Sequence, residues 1–229
     1  MPNYFCAGII FDLDGVLVDS SVVIHRHWEI WAARHNLDLN AILASMAGKR
    51  SIEVMAAFAP HLDAAKEAAE MDAAEARDSG GLRAYSGAVE LLTSLPANRW
   101  AIATSGARET AVMRLQTAGI PIPPILVCAG DVSLGKPHPE PYLLAARRLG
   151  ISPERCAAIE DAPSGVSSAK NAGMFAIGVS STVPPEALSE DDVVVPALST
   201  LRFSLVAEVE QAALTENILC ISRLDEASS

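Results

Sequence analysis

Positive charge is scarce in this chain: 17 Lys and Arg stand against 28 Asp and Glu, a net charge of −11 over 229 residues. A nucleic acid or an anionic membrane needs its phosphates neutralised in bulk, and this composition does not do that, so neither is expected as a partner. An anionic substrate would need a local cation, either a lysine or a bound metal. Cysteine is scarce too. Cys6, Cys128, Cys156 and Cys220 lie far apart, and no CxxC pair occurs. Reduced thiols in a cytoplasmic protein are the expectation. Long apolar runs are missing: no segment reaches the roughly 18 uninterrupted apolar residues of a spanning helix. The stretch before Asp12 and Asp14 has neither a basic start nor a long apolar run, so no signal peptide is expected. What is present is hydrophobic residue in quantity, 50% of the chain, which excludes global disorder and suits one large domain or one domain with an insertion.

Short apolar runs recur, each ending in polar residues. Tyr4 to Phe11 ends at Asp12-Leu13-Asp14-Gly15, and its unbroken apolar character predicts one strand buried on both faces. Trp100 to Ala103 ends at Thr104-Ser105-Gly106, Ile125 to Ala129 at Gly130-Asp131, and Cys156 to Ile159 at Glu160-Asp161. Met174 to Val179 and Val193 to Val195 complete the series. Helical stretches alternate with them at Ala88 to Leu95, Arg108 to Ala118, Glu140 to Leu149 and Ser164 to Ala172, with Gly119, Gly150 and Gly173 where helix C-caps belong. This alternation predicts a doubly wound α/β fold with a parallel, Rossmann-like sheet.

One region breaks the rhythm. From about Leu17 to Ala84 no convincing strand is found. Ser20 to Asn36 has helical spacing, Leu39 to Met46 and Ser51 to Phe58 are shorter candidates, and the alanine-rich Asp63 to Ser79 reads as an exposed helix. The expectation is a helical cap over residues 17–84, inserted into a catalytic core of residues 1–16 and 85–229. After Thr200 the tail is amphipathic, Ile218 to Ser222 is a late strand candidate, and the last three residues read as frayed.

In open α/β sheets chemistry collects at the C-terminal strand ends. There stand Asp12, Asp14, Thr104, Ser105, Glu160 and Asp161, with Lys136 nearby in Gly135-Lys136-Pro137. Asp12 and Asp14, two apart on a strand, share a face. Clustered carboxylates repel unless protonated or bridged by a cation, and all-oxygen donors suggest a hard ion such as Mg²⁺. Each feature has an ordinary reading of its own. The Asp-x-Asp pair serves equally as a turn or cap, Glu160-Asp161 and Thr104-Ser105 as caps of the helices that follow, and Lys136 as a surface lysine. Together they form an acid, base and cation set suited to phosphoryl transfer.

Asp12-Leu13-Asp14-Gly15-Val16-Leu17-Val18-Asp19-Ser20, followed in order by Thr104, Lys136 and Glu160-Asp161, resembles the four motifs of the haloacid dehalogenase superfamily over roughly residues 4–200. The second aspartate, Asp14, points to its phosphatase branch. Phe58-Ala59-Pro60, Arg99 to Gly106 and Gly135 to Leu143 further resemble glycerol-phosphate and 2-deoxyglucose-6-phosphate phosphatases. The resemblance implies Asp12 as nucleophile, forming an aspartyl-phosphate, and Asp14 as general acid and base. It implies Mg²⁺ held by Asp12, the Asp14 backbone carbonyl and Asp161, with Glu160 behind them. Thr104, Ser105 and Lys136 would hold the transferring phosphoryl group.

In the resembling families a Gly-x-Arg segment of the cap faces the substrate. Gly48-Lys49-Arg50-Ser51 therefore offers Arg50 as a specificity residue, with Lys49, Glu53 and, just after the second motif, Arg108 as further candidates. A solvated loop of ordinary charges is the alternative. His25 and His27 read as structural or exposed, since no metal spacing joins them to a third ligand. The expected partner is a small phosphorylated metabolite. A β-phosphoglucomutase-like phosphosugar mutase is the enzymatic alternative, and a phosphonoacetaldehyde hydrolase using Lys49 a third. A non-catalytic phosphosugar-binding protein is the reading from another class.

Overall fold

The computed structural model describes residues 3–206 and 218–223. The frayed end expected at residues 227–229 lies outside the described residues. In chain order the elements are β1 (Tyr4–Cys6), β2 (Gly8–Phe11), β3 (Val18–Asp19), α1 (Ser21–His35), α2 (Leu39–Met46), α3 (Ser51–Phe58), α4 (Ala64–Glu75), β4 (Arg83–Ala84), α5 (Ala88–Ser94) and β5 (Trp100–Ala103). The chain continues through α6 (Arg108–Thr117), β6 (Leu126–Val127), α7 (Glu140–Leu149), β7 (Cys156–Glu160), α8 (Pro163–Asn171), β8 (Phe175–Val179), β9 (Val193–Val195), β10 (Leu201–Val206) and β11 (Ile218–Arg223).

The central sheet has six parallel strands in the order β6-β5-β2-β7-β8-β9. Its middle strands read as unbroken apolar runs because both faces are covered: every residue of β2, β5 and β7 is buried. Ile9, Phe11, Ile102 and Ile159 face a layer that includes Ala111 and Leu115 of α6 and Leu92 of α5. Ile10, Ala101, Ala103, Ala158 and Ala176 face Tyr142, Ala145 and Ala146 of α7 and Val166 and Ala169 of α8. The chain fills the sheet on one side of β2 through β5 and β6, then on the other through β7, β8 and β9. The tip of β2 is therefore the switch point, where an open sheet leaves a crevice.

Between β3 and β4 lie α1 to α4, which share their own apolar cluster of Trp28, Trp31, Ile42, Val54, Met55 and Met71 among others. Asp38 caps α2 by accepting from the Asn40 and Ala41 amides, and Asp63 caps α4 by accepting from Lys66. Among the described residues no helix is long and apolar enough to cross a membrane.

Four details depart from the sequence reading. The run from Tyr4 to Phe11 is two strands, not one: β1 pairs antiparallel with β11, and only β2 joins the parallel sheet. Aromatic residues hid the break, since Phe5 is exposed and Tyr4 stacks on Phe175 while Gly8–Phe11 is fully buried. Strand pairing does occur at both ends of the helical segment, Val18 with Ala84 and Asp19 with Arg83; two residues are too short to show a period. The run Ile125 to Ala129 narrows to Leu126–Val127, because Asp131 accepts from the Cys128 amide and bends the chain into a 3-10 turn. The tail after Thr200 contains a strand, β10, paired along its length with β11.

Candidate active site

The Asp12 amide still donates to Ile159 O, so the sheet itself fixes that carboxylate at the tip of β2. Asp161 follows β7 directly and approaches from the neighbouring strand. Gly15, at φ 85°, makes the approach possible: a Cβ there would lie 2.0 Å from Asp161 Oδ2. Gly165 does the same for Glu160, whose carboxylate would sit 2.0 Å from an added Cβ. Asp12, Glu160 and Asp161 thus offer three buried carboxylates with ligand oxygens within 4.8 Å of one another.

Lys136 lies beneath them, 1% exposed. Its Nζ donates to Asp12 Oδ1 at 2.5 Å and to Glu160 Oε1 at 2.6 Å, and Tyr142 Oη donates to the same Glu160 oxygen at 2.5 Å. Burial opposes the Lys136 charge, but the two carboxylates outweigh it and raise its pKa. Burial pushes the Asp12 carboxyl well above the ordinary range against the pull of Lys136. Burial and the adjacent Glu160 charge push Asp161 up to about 7. One ammonium is too little positive charge for three carboxylates in this space. The all-oxygen donor set and this deficit fit a hard divalent cation.

Above this floor is a cleft of about 330 Å³, within the size range of small-molecule sites. Asp12, Asp14, Thr104, Ser105 and Asp161 line it from the sheet side, and Ile24, His25, Trp28, Leu43, Met46 and Lys49 from the helical side. Thr104 is buried and its Oγ1 accepts from the Gly106 amide, while Ser105 Oγ donates to Gly48 O at 2.7 Å. Thr182 Oγ1 donates to Asp161 Oδ2 and Ser181 Oγ to Gly15 O.

Glu160 and Asp161 are not helix caps, since the residue capping α8 is Ala162 and no side chain serves there. The Asp14 carboxylate also turns away from the trio. Its Oδ1 accepts from Ser20 Oγ at 2.6 Å and its Oδ2 from Arg114 Nη1 at 2.7 Å. Any share Asp14 has in metal binding therefore falls to its backbone.

The cap residues expected to face a substrate divide. Lys49 lines the cleft and is exposed. Arg50 does not line it: its fork donates to Glu53 Oε1 at 2.5 and 2.9 Å and to the Val132 and Ser133 carbonyls. Glu53 in turn accepts from the Gly135 amide. The pair straps α3 to the loop that carries Lys136. Arg108 likewise lies outside the cleft, donating to Leu126 O and Asp131. His27 lies against Asp78, whereas His25 reaches the cleft wall, which the sequence reading missed.

Sequence reasoning also missed Arg114, Glu75, Asp72, Ser20 and Tyr142. Arg114 had a signal. It stands one turn from Ala111 and next to Leu115, on the face of α6 turned to the interior, where an arginine needs a reason. Tyr142 had none, because a tyrosine on a buried face is ordinary.

Residues 6–173 match the family described as haloacid dehalogenase-like hydrolase. The chain is 39% identical over 203 residues to hexitol phosphatase A of Escherichia coli (strain K12), spanning 86% of this chain and 93% of that one. It is 33% identical over 208 residues to glycerol-1-phosphate phosphohydrolase 2 of Saccharomyces cerevisiae, spanning 84% and 83%. In three dimensions it matches a hydrolase from Pseudomonas syringae with a TM-score of 0.74 at 28% identity, over 82% of this chain and 92% of that one. Motif order, sheet topology and a family match over most of its length agree: this chain belongs to the haloacid dehalogenase-like hydrolases.

Proposed function

We propose that this hydrolase is a Mg²⁺-dependent phosphatase of small sugar or polyol phosphates, working through an aspartyl-phosphate on Asp12. The observation that carries the reading is the meeting of Asp12, Asp161, Glu160 and Lys136 at the floor of a cleft of metabolite size. The relatives named as hexitol and glycerol-1-phosphate phosphatases support the substrate class. Residues 17–84 act as the cap, and residues 1–16 and 85–229 as the catalytic core. Four unpaired, buried cysteines support a cytoplasmic setting. The acid excess supports a small metabolite rather than a nucleic acid or a membrane as partner.

Asp12, Asp161, Glu160 and the Asp14 backbone would hold the metal, which supplies Lewis-acid neutralisation of phosphoryl charge when bound. The Asp12 carboxylate attacks phosphorus in line, forming its own O–P bond as the bond to the substrate oxygen breaks. Asp14 gives its proton to the departing alkoxide. It then takes one from the water that attacks the aspartyl-phosphate, which releases phosphate and restores Asp12. Thr104 Oγ1, the Ser105 amide and Lys136 hold the equatorial phosphoryl oxygens. Lys49 adds a cation at the rim, where charge on the substrate would enter.

A phosphate-release screen over glycerol, pentose, hexose and hexitol phosphates, with Mg²⁺ and with chelator, tests this. Mg²⁺-dependent release from at least one polyol or sugar phosphate is expected. No release from any of them, or release that survives full chelation, overturns it. Incubation with β-glucose 1-phosphate separates the mutase: an isomerised sugar phosphate without free phosphate would favour it.

A further inference from the structure

Arg114 is 2% exposed, and its guanidinium is shared by two carboxylates from different parts of the molecule. Nη1 donates to Asp14 Oδ2 at 2.7 Å, and Nη2 to Glu75 Oε2 at 2.7 Å. Asp14 belongs to the strand-tip motif of the core, whereas Glu75 is the last residue of α4 in the helical segment. Nε is buried with no hydrogen-bond partner among the described residues, so those two carboxylates alone hold the fork. One turn earlier, Thr110 of α6 donates to the Asp72 carbonyl of α4, bringing the same two helices together. Asp14, Asp72, Glu75 and Arg114 all line the cleft.

A buried guanidinium is expensive unless its partners are in place, and losing one of them leaves buried charge uncompensated. With α4 seated, Arg114 is drawn from both sides and pins one oxygen of Asp14 while Ser20 holds the other. With α4 displaced, the counter-pull of Glu75 is gone and nothing on that side fixes the fork. We propose that Arg114 is a positioning residue for Asp14, and that Glu75 makes the positioning conditional on α4 lying against α6. The core then holds its proton-transfer carboxylate in this one place only while α4 is seated against α6. This inference rests on the assignment of Asp14 as general acid and base made above.

The test compares kcat on a hexitol or glycerol phosphate with kcat on p-nitrophenyl phosphate, whose leaving group needs no proton. Asp14→Asn is the reference and should depress the alkyl substrate far more than the aryl one. Arg114→Met should reproduce that asymmetry with an alkyl loss of about 10²-fold, within the span of general acid–base catalysis. Glu75→Gln should give the same sign at about 10-fold, with KM little changed. Adding Arg114→Met to Asp14→Asn should leave the alkyl-to-aryl ratio where Asp14→Asn alone put it, because the arginine acts through that carboxylate. Equal losses on both substrates, or a further fall of the ratio in the double variant, overturn the inference. If Arg114→Met does not fold, Glu75→Gln decides alone, and its failure to change the ratio overturns the proposal. Should Asp14→Asn itself show no asymmetry, the assignment of Asp14 falls first and the positioning role with it. An asymmetry for Asp14→Asn that neither other variant shares sinks the positioning role only.

Discussion

Two buried cations sit near the cleft, and each is shared by two carboxylates. Lys136 bridges Asp12 and Glu160, both at strand tips of the same sheet. Arg114 bridges Asp14 of the core and Glu75 of the helical segment. The two carboxylates of the first cluster are set by parallel pairing of β2 with β7, so their meeting exists whenever the sheet does. The second needs two separately packed apolar clusters to be in contact, so it exists only in one relative placement of them. On the roles proposed above, the phosphoryl-handling carboxylates would be built into the sheet, whereas the placing of the proton-handling group would be shared with the helical segment.

The largest expected effect falls on the sheet-built cluster. Asp12→Asn should reduce turnover of any phosphate ester to background while near- and far-ultraviolet circular dichroism stay unchanged. Wild-type turnover in that variant would remove the nucleophile and, with it, the division of labour between the two clusters. Lys136→Met comes next. It leaves Asp12 and Glu160 facing one another without their shared cation, and breaking a buried pair costs about 3–5 kcal/mol, readable as a fall in denaturant midpoint. A change below about 1 kcal/mol would show that the floor is not held by this ion pair.

Mg²⁺ at about 100 times its Kd should stabilise the wild type by roughly 2.7 kcal/mol, measured as a thermal shift without any substrate. Asp161→Asn should lose most of that shift, and an undiminished shift would place the ion elsewhere. Arg50→Ala removes the strap between α3 and the Lys136 loop, whose hydrogen bonds to charged groups are worth roughly 1.5–3 kcal/mol each before relaxation. Hydrogen exchange should quicken in residues 47–58 and in 132–136 while β2 and β7 stay protected; uniform quickening would mean the cap and the sheet open as one.

The smallest effect lies outside the cleft lining. Both Asp191 carboxylate oxygens are buried without a partner among the described residues, against Gly178. Burial pushes its pKa from 3.8 up to about 7. A carboxyl raised in the folded state contributes stability below about pH 4 that is lost as pH rises through about 7. Asp191→Asn should therefore be more stable than wild type at pH 8, with the advantage gone by pH 4. An advantage independent of pH would show that packing rather than ionisation is responsible.

Much of the site could be read from the chain, for a physical reason. Asp12, Thr104 and Asp161 each follow a short buried strand directly, and parallel pairing aligns such tips without further information. Lys136 was readable only through the order of motifs; that it would be 1% exposed beneath two carboxylates was not. Arg50 shows the opposite case. Its loop position and charge were visible, but its partners, Val132 and Ser133, lie 82 and 83 residues away and are backbone carbonyls, which every residue has.

By itself the amino-acid order determined the alternating α/β pattern, the glycine-ended helices and the polar residues at each strand tip, because these depend on neighbours a few positions apart. The tertiary structure alone decided that Tyr4–Cys6 leaves the main sheet for β11, that Arg50 is a strap, and that Arg114 spans Asp14 and Glu75. Those outcomes depend on which surfaces meet across 39 to 217 residues of chain, and no local periodicity records such meetings.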